Sequence, residues 1–244
     1  MVNVNYGWKA KIGLIYMSSS EIMEPEFYAM SPKGVCTLTT RINLPKMTPQ
    51  GIIDMLSSEQ LENCTQLLAH AKADVILFGG TSCSFLGGPE WEKGLLERMK
   101  AMAGGITVIN TSESSVKALK AVNAKNIVIA TPYKKDINGA AIDYFTKQGF
   151  GVLQDTALGF DDDHEIAAIS LEDVYQQVRN TDLPNADAVF ISCTNLKTLP
   201  IIEDLETDLK KPVISAIQAS LWYALKVLGI HDYVPGTGSL FASS

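Results

Sequence analysis

Cys193 is the residue of this chain best placed for acid–base chemistry, because it follows an apolar run that is typical of a buried strand. Residues 186–191 form that run, and the sequence continues as Ser192, Cys193, Thr194 and Asn195. A thiol donates or accepts a proton, while hydroxyl and amide groups beside it form hydrogen bonds to an anion. This combination at a strand end predicts a site that binds a carboxylate and moves a proton to or from it.

A second copy of the pattern lies 113 residues earlier in the chain. Asp74 and Asp187 hold the same place in the two copies, and the same offset carries Gly80 onto Cys193. We therefore expect two similar halves, one with a thiol at its strand end and the other with a glycine. If the two ends face each other, the cleft between them contains one acid–base cysteine rather than two.

The strand-end loops of both halves are rich in hydrogen-bond donors. Hydroxyl, phenol and amide groups occur on Ser20, Thr81, Ser82, Tyr133, Thr194 and Asn195. Gly80 leaves the neighbouring backbone N–H groups unobstructed and is expected to help bind the substrate. A weakly charged pocket of this kind suits a carboxylate, or an enediolate that gains negative charge in the transition state.

Each of these features also has an ordinary structural explanation. A cysteine at a strand end is commonly a small buried apolar residue, and the glycines before Thr81 could form a plain turn. The acidic run at 161–165, which contains Asp163, could bind a metal ion, but such a run before a helix more often caps that helix. Side-chain alternation directs Cys83 into its own lobe.

Short apolar runs alternate with helical patterns along the chain. Strands are predicted at residues 11–16, 73–78, 107–109, 126–130, 188–191 and 212–214, and helices at 48–72, 112–123, 137–148, 170–179 and 218–228. Runs rich in Ile and Val are typical of strands buried on both faces. Their alternation with helices predicts an α/β fold of parallel sheets flanked by helices.

The repeat predicts two Rossmann-like lobes with the active site in the cleft between them. We place the first lobe at residues 10–124, completed by the C-terminal residues 218–244, and the second lobe at 125–217. Ligands of such folds bind outside the carboxyl ends of the strands or between domains.

The bulk composition favours a soluble globular protein, since 46% of the 244 residues are hydrophobic and 19% are charged. The net charge of −7 argues against nucleic acid and anionic membranes as partners. No apolar stretch approaches the ~20 residues that span a bilayer, and the N-terminus has no signal-peptide pattern. We therefore expect a cytoplasmic protein with reduced cysteines.

Metal binding is not predicted. The four cysteines, Cys36, Cys64, Cys83 and Cys193, include no C-x-x-C pair, and the three histidines are scattered. Structural zinc sites need closer ligand spacing than this. Cys36 and Cys64 are expected to be structural.

Several motifs carry a resemblance to a known family. They lie at residues 80–85, 130–133, 191–196 and 235–241, with a further N-terminal signature at 18–20 and 23–27. Over nearly the whole chain they resemble the arylmalonate decarboxylase and maleate cis–trans isomerase branch of the aspartate/glutamate racemase superfamily. The resemblance implies two lobes related by a pseudo-twofold axis, and catalysis without a cofactor.

The resemblance also implies a reaction. Racemases and maleate isomerase have one catalytic cysteine from each lobe, whereas the decarboxylase has only the one in the second lobe. This chain matches the decarboxylase, because Gly80 stands at the first position and Cys193 at the second. This implies a carbon–carbon lyase that decarboxylates aryl- or alkenyl-malonates through an enediolate, which Cys193 protonates. The groups implied to hold the enediolate are those of Thr81, Ser82, Tyr133 and the backbone around Cys193 and Thr194.

The sequence also departs from the family pattern. The isomerase has asparagines at Ser20 and near Asp163, so the clamp for a second carboxylate is weakened here, although both residues remain candidate substrate contacts. Residues 194–196 are closer to the isomerase, and the Asn195 amide is expected to bind a polar arm of the substrate.

Three alternatives therefore stay open. The chain could act as a maleate cis–trans isomerase, or as an aspartate/glutamate racemase with Cys83 as the second thiol. It could also be a non-catalytic small-molecule binder. In every case the expected partner is a small carboxylate or dicarboxylate, and the oligomeric state is left open, a homo-oligomer included.

Overall fold

A computed structural model describes residues 6–242 and contains two four-stranded sheets, each entirely parallel. The first sheet has the order β2-β1-β3-β4 and consists of β1 Ala10–Met17, β2 Val35–Ile42, β3 Val75–Phe78 and β4 Thr107–Asn110. The second has the order β6-β5-β7-β8 and consists of β5 Asn126–Tyr133, β6 Gly151–Phe160, β7 Ala188–Ile191 and β8 Val213–Ser215. The equal strand order confirms the prediction of two similar α/β lobes.

Helices connect the strands and cover the sheets. Those before β5 are α1 Met23–Met30, α2 Pro49–Ser57, α3 Gln60–His70, α4 Thr81–Phe85, α5 Gly88–Met102 and α6 Thr111–Ala121. Those after β5 are α7 Lys135–Lys147, α8 Asp163–Ala168, α9 Leu171–Thr181, α10 Ile202–Leu209, α11 Ala216–Val227 and α12 Ser239–Ala242, with a 3₁₀ helix at Leu199–Ile201 before α10. Within residues 6–242, no helix combines the length and the apolar character that crossing a membrane requires.

The helix α11, which follows the last strand, packs against α6 and α1 of the first lobe. This contact supports assigning the C-terminal residues to the first lobe. The lobe boundaries after residues 124 and 217 stay predictions.

The repeat is visible in hydrogen bonds at the start of the central strands. Asp74 accepts a hydrogen bond from the backbone N–H of Lys11 at 2.8 Å. Asp187, at the matching place, accepts from the N–H groups of Lys125 at 2.9 Å and Asn126 at 2.7 Å. In both lobes the aspartate satisfies N–H groups that would otherwise begin the strand without a partner.

The strands β3 and β7 position the candidate site, because each is buried along its whole length and pairs with a central strand. Phe78 pairs with Ile15, and Ile191 pairs with Ala130. Slipping either strand by one residue would turn its buried side chains to the other face. The register therefore fixes where Gly80 and Cys193, each two residues beyond its strand, must lie.

The structure differs from the sequence prediction at one edge of each sheet. The prediction missed the edge strands β2 and β6, whereas the opposite edges, β4 and β8, were predicted. β2 mixes buried and exposed residues, and β6 alternates exposed with half-buried ones, so neither forms an apolar run. The helix predicted at 48–72 is divided into α2 and α3, because Ser58 is extended and its hydroxyl donates to the carbonyl of Met55 at 2.6 Å. Tyr133, expected in a loop, is the last residue of β5.

Candidate active site

The two strand ends face each other across the cleft, as the repeat predicts. The Thr194 hydroxyl in the second lobe donates to the carbonyl of Gly79 in the first at 2.9 Å. The Tyr16 hydroxyl at the end of β1 donates to the carbonyl of Thr194 at 2.7 Å and accepts from the N–H of Met23 at 3.2 Å. These bonds fix the loop that carries Cys193 against the loop that carries Gly80.

Glycine at position 80 is required because a side chain would clash with its neighbours. The backbone conformation does not require it, since any residue can adopt its φ of −125°. A Cβ atom at this position would lie 2.8 Å from Cε of Met17 and 3.1 Å from Sγ of Cys83. The place that corresponds to Cys193 is thus filled by neighbouring side chains. Cys83 itself is fully buried, in agreement with the expectation that it packs inside its lobe.

Cys193 is a buried thiol in a hydrogen-bonded setting. Its Sγ accepts from the backbone N–H of Asn195 at 3.2 Å. Burial raises the pKa of Cys193 to about 12, although hydrogen bonds from the Tyr133 phenol and the Asn195 N–H oppose that increase. At neutral pH the group is therefore a neutral thiol, suited to donate a proton rather than to attack as a thiolate.

Two neighbours of the thiol can donate hydrogen bonds to a ligand. Burial raises the pKa of Tyr133 well above its usual value, and the neighbouring Cys193 adds to the increase, so the phenol keeps its proton. The Thr81 hydroxyl lies beside this phenol, yet its oxygen is buried and has no well-aligned partner among the described residues. A carboxylate bound beside the phenol would satisfy the Thr81 hydroxyl. The Ser192 hydroxyl is also buried without a partner among the described residues, but no contact places it at the phenol.

Ser82 is also brought to this region, but its hydroxyl has a protein partner. It donates to Sδ of Met47 at 3.3 Å. Because a thioether is a weak acceptor, the hydroxyl could turn to a carboxylate at little cost.

Asp163 and the segment after β1 form the polar side of the site. The hydroxyls of Ser19 and Ser20 donate to Oδ2 of Asp163, with a distance of 3.1 Å for Ser20. Oδ1 of Asp163 is buried and has no partner among the described residues. The charge of Asp163 contributes to the raised pKa values of both Cys193 and Tyr133, which places this carboxylate within electrostatic reach of the thiol.

Asn195 has a different role from the expected one. Its side-chain oxygen accepts from the N–H groups of Glu21 at 2.8 Å and Ile22 at 3.2 Å. Its side-chain nitrogen donates to the backbone oxygen of Asp163 at 2.7 Å. The amide is thus occupied by protein groups here, and its binding of a polar substrate arm stays a prediction.

Sequence reasoning missed Glu26, which anchors the Cys193 loop from the first lobe. Its carboxylate accepts from the N–H groups of Thr198 at 2.7 Å and Leu199 at 3.0 Å, and from the Thr198 hydroxyl at 3.1 Å. Burial raises the pKa of Glu26. Tyr16 was missed as well; a hydroxyl at the end of an otherwise apolar strand was the available signal.

The site is closed in this structure. Cys193, Thr81, Ser82 and Tyr133 are all at most 3% exposed. The segment after β2 contributes to this burial, because Met47 lies against Ser82 and the Ser19 hydroxyl donates to the carbonyl of Leu44 at 3.0 Å. The thiol is therefore not accessible to a ligand in this conformation.

A groove of about 790 Å³ lies elsewhere, between β6, α8 and α9. None of the predicted site residues lines it. Within residues 6–242, no group of three or more His, Cys, Asp or Glu side chains is placed to hold a metal ion.

Comparison with known proteins adds to this geometry. The family model for arylmalonate decarboxylase matches residues 12–241. A maleate isomerase from Geobacillus stearothermophilus is 29% identical over 245 residues, covering 95% of this chain and 97% of its own. An arylmalonate decarboxylase from Bordetella bronchiseptica is 26% identical and covers 85% of this chain and 86% of its own.

A solved structure with a similar fold is a mutant of the Nocardia farcinica maleate cis–trans isomerase with a covalently bound succinylcysteine intermediate. It is 26% identical to this chain, with a TM-score of 0.89, and the match covers 96% of this chain and 99% of that one. Both reactions are therefore represented among proteins that share this two-lobed architecture.

Proposed function

This chain belongs to the arylmalonate decarboxylase family, and from that premise we propose that it is a cofactor-free decarboxylase of 2-substituted malonates. The observation that carries the proposal is the pair formed by Gly80 and Cys193. One side of the cleft has the buried neutral thiol of Cys193, and the matching residue on the other side, Gly80, has no side chain. The thiol of Cys83 packs beside Gly80, inside the first lobe.

The neutral donors around the thiol define the first part of the mechanism. One carboxylate of the substrate accepts hydrogen bonds from Thr81, from Tyr133 once its phenol turns away from Cys193, and from the backbone around Cys193 and Thr194, with Ser82 released from Met47. The bond between Cα and the second carboxylate then breaks, its electron pair moves into the retained carboxylate to give an enediolate, and carbon dioxide leaves. Each well-placed donor can lower the barrier by about 2.7–4 kcal/mol, so three or four supply much of the acceleration.

Protonation completes the reaction. Cys193 gives its proton to Cα, which restores the carboxylate of the product, and the resulting thiolate takes a proton from solvent. The raised pKa makes the thiolate a strong base, so re-protonation before the next turnover is favourable. Because the single acid lies on one face of the enediolate, the product has one handedness.

Isomerisation of maleate is the second candidate, because four curated relatives are named maleate isomerase. That reaction needs a thiolate as nucleophile, and racemisation needs a second base. Burial raises the pKa of Cys83, as of Cys193, to about 12, which disfavours the thiolate at both positions. Burial of the two thiols therefore favours proton donation over nucleophilic attack.

The direct test is turnover of phenylmalonate, methylmalonate and an alkenylmalonate by the wild type and by Cys193→Ser. Since a serine hydroxyl is a much weaker acid than a thiol, we expect a loss of at least about a hundredfold in kcat. Cys36→Ser, which replaces a half-buried thiol at the edge of the first sheet, is the matched control. Near-normal turnover by Cys193→Ser would remove the proton-donor role, and no turnover of any malonate by the wild type would remove the proposed function.

A further inference from the structure

Asp163 is a buried acid that the proposed mechanism does not use. Its side chain is 4% exposed, and Oδ1 has no hydrogen-bond partner among the described residues. The two hydroxyl bonds from Ser19 and Ser20 both go to Oδ2. An unpartnered buried carboxylate oxygen is costly, so a ligand that donates to it would be bound with a favourable free energy.

The negative charge of Asp163 is also uncompensated. None of the ion pairs formed by the described residues includes it. The nearby Arg41 guanidinium is bound to the carbonyls of Met17 and Ser20 and pairs with Glu24 instead. A positively charged ligand group would therefore interact favourably with Asp163, because no cationic side chain among the described residues pairs with it.

Asp163 is held at the reacting end of the cleft. It belongs to the second lobe, while its partners Ser19 and Ser20 follow β1 of the first lobe. Its backbone oxygen accepts from Asn195, two residues beyond the thiol. A substrate that places Cα beside Cys193 thus brings its substituent within reach of this carboxylate.

We propose that Asp163 determines the substrate class, selecting 2-substituted malonates whose substituent ends in an ammonium group or another hydrogen-bond donor and rejecting those that end in a carboxylate. The inference rests on the proposed decarboxylation and narrows it. A donor arm satisfies Oδ1 and neutralises the charge, whereas a carboxylate arm adds a like charge in a poorly solvated site. An alkyl arm leaves Oδ1 unpartnered.

The first experiment compares substrates of equal size. Aminomethyl-, 2-aminoethyl- and 3-aminopropylmalonate are matched with ethyl-, propyl- and butylmalonate, and (2-carboxyethyl)malonate supplies the anionic arm. Since a desolvated charge pair commonly changes affinity by more than a factor of ten, kcat/KM for the best amine should exceed that of its alkyl partner at least about tenfold. Equal or better turnover of the alkyl member in all three pairs would overturn the proposal.

The second experiment removes the charge without changing the shape. Asp163→Asn keeps an oxygen that accepts from Ser19 and Ser20, so the fold should hold, and circular dichroism and melting check this. The preference for the amine should largely disappear, and turnover of (2-carboxyethyl)malonate should rise. Glu165→Gln removes one charge from an exposed position on the same helix and should leave the preference intact. A preference that survives Asp163→Asn contradicts the proposal.

A binding measurement separates this proposal from the proposed function. With Cys193→Ser, titration calorimetry should show tighter binding of 3-aminopropanoate than of its isostere butanoate, and the difference should vanish when Asp163→Asn is added. If wild-type protein turns over no malonate but shows this difference, only the decarboxylation fails. If malonates are turned over and neither kcat/KM nor binding favours the amine, only the assignment of Asp163 fails.

Discussion

Cys193 is kept as a thiol by burial, against hydrogen bonds from the Tyr133 phenol and the N–H groups of Asn195 and Leu196 that would favour its thiolate. With a pKa of about 12 in place of the ordinary 9.0, the thiolate fraction at pH 8 is roughly a thousandfold lower than for an unperturbed cysteine. A group in this state is an acid at every physiological pH.

This state predicts slow alkylation. Iodoacetamide at pH 8 should modify Cys193 far more slowly than the half-buried Cys36, and the Cys193 rate should still be increasing with pH at pH 10. Peptide mass spectrometry of timed samples measures both rates. A Cys193 rate that levels off near pH 8 would indicate a thiolate and favour the isomerase alternative.

Gly80 gives a second prediction at the residue scale. Gly80→Cys adds a facing acid–base group, so racemisation of 2-aryl carboxylates should appear. The added atoms crowd Met17 and Cys83, so stability should fall by about 1–3 kcal/mol.

Gly80→Ala is the control for Gly80→Cys, because it introduces the same crowding without a thiol. Racemisation is followed by chiral chromatography, and stability by denaturant unfolding. Absence of racemisation in a folded Gly80→Cys protein would place the two strand ends too far apart for the proposed geometry.

Among the elements, the segment from β1 to α1 fixes the loop that carries Cys193, a role that its sequence does not indicate. Tyr16, the backbone at residues 21–22, and Glu26 together hold the loop between β7 and the 3₁₀ helix. This segment belongs to the first lobe and the loop to the second. The position of the thiol therefore depends on contacts between lobes.

Glu26→Ala should lower kcat and reduce stability by about 1–3 kcal/mol for each donor left unpaired, because two N–H groups and a hydroxyl lose a buried carboxylate partner. Glu26→Gln keeps an acceptor for both N–H groups and should be much milder. Denaturant unfolding with parallel kinetics measures both effects. Equal losses in the two variants would contradict a hydrogen-bonding role.

The pH dependence of Glu26 has a definite sign. Its folded pKa lies above the ordinary 4.5, so the folded state holds more protons between these two values. Its contribution to the free energy of unfolding is present below pH 4.5 and is lost as pH rises through the folded pKa. Relative to Glu26→Gln, the wild type should therefore lose stability from about pH 4.5 upward; an opposite slope would contradict the raised pKa.

The sequence predicts elements well where burial alone sets the pattern. The central strands are continuous apolar runs, and the repeat locates Gly80 and Cys193 at matching ends. The edge strands β2 and β6 lack this pattern, because β2 is only partly buried and β6 alternates exposed with half-buried residues. Hydrogen bonds across more than 140 residues, such as Ser20 to Asp163 or Thr198 to Glu26, follow from docking of the lobes, and no local pattern contains them.

At the scale of the whole molecule, the lobes share buried contacts outside the site as well. Tyr144 on α7 donates to Glu92 on α5 at 2.7 Å, and Phe85 of α4 packs on Tyr144 with ring centroids 5.3 Å apart. The helix α11 adds its packing against α6 and α1. Neither lobe can unfold without exposing these surfaces.

We therefore expect one cooperative unfolding transition. Calorimetry should give a single peak whose calorimetric and van't Hoff enthalpies agree. Tyr144→Phe should lower the stability by about 1–3 kcal/mol, because it leaves buried Glu92 without its donor, and the transition should stay single. Two separate transitions in the wild type would mean that the lobes are independent and that the cleft geometry is not fixed by docking.

Proton NMR in deuterium oxide tests the central claim most directly, because it separates the three reactions of a single thiol facing a glycine. With phenylmalonate the proposed mechanism predicts release of carbon dioxide and one deuterium at the α-carbon of the product, while maleate stays unchanged. Conversion of maleate to its trans isomer without decarboxylation of any malonate would contradict the mechanism, as would deuterium exchange at the α-carbon of 2-aryl carboxylates by a protein that decarboxylates no malonate.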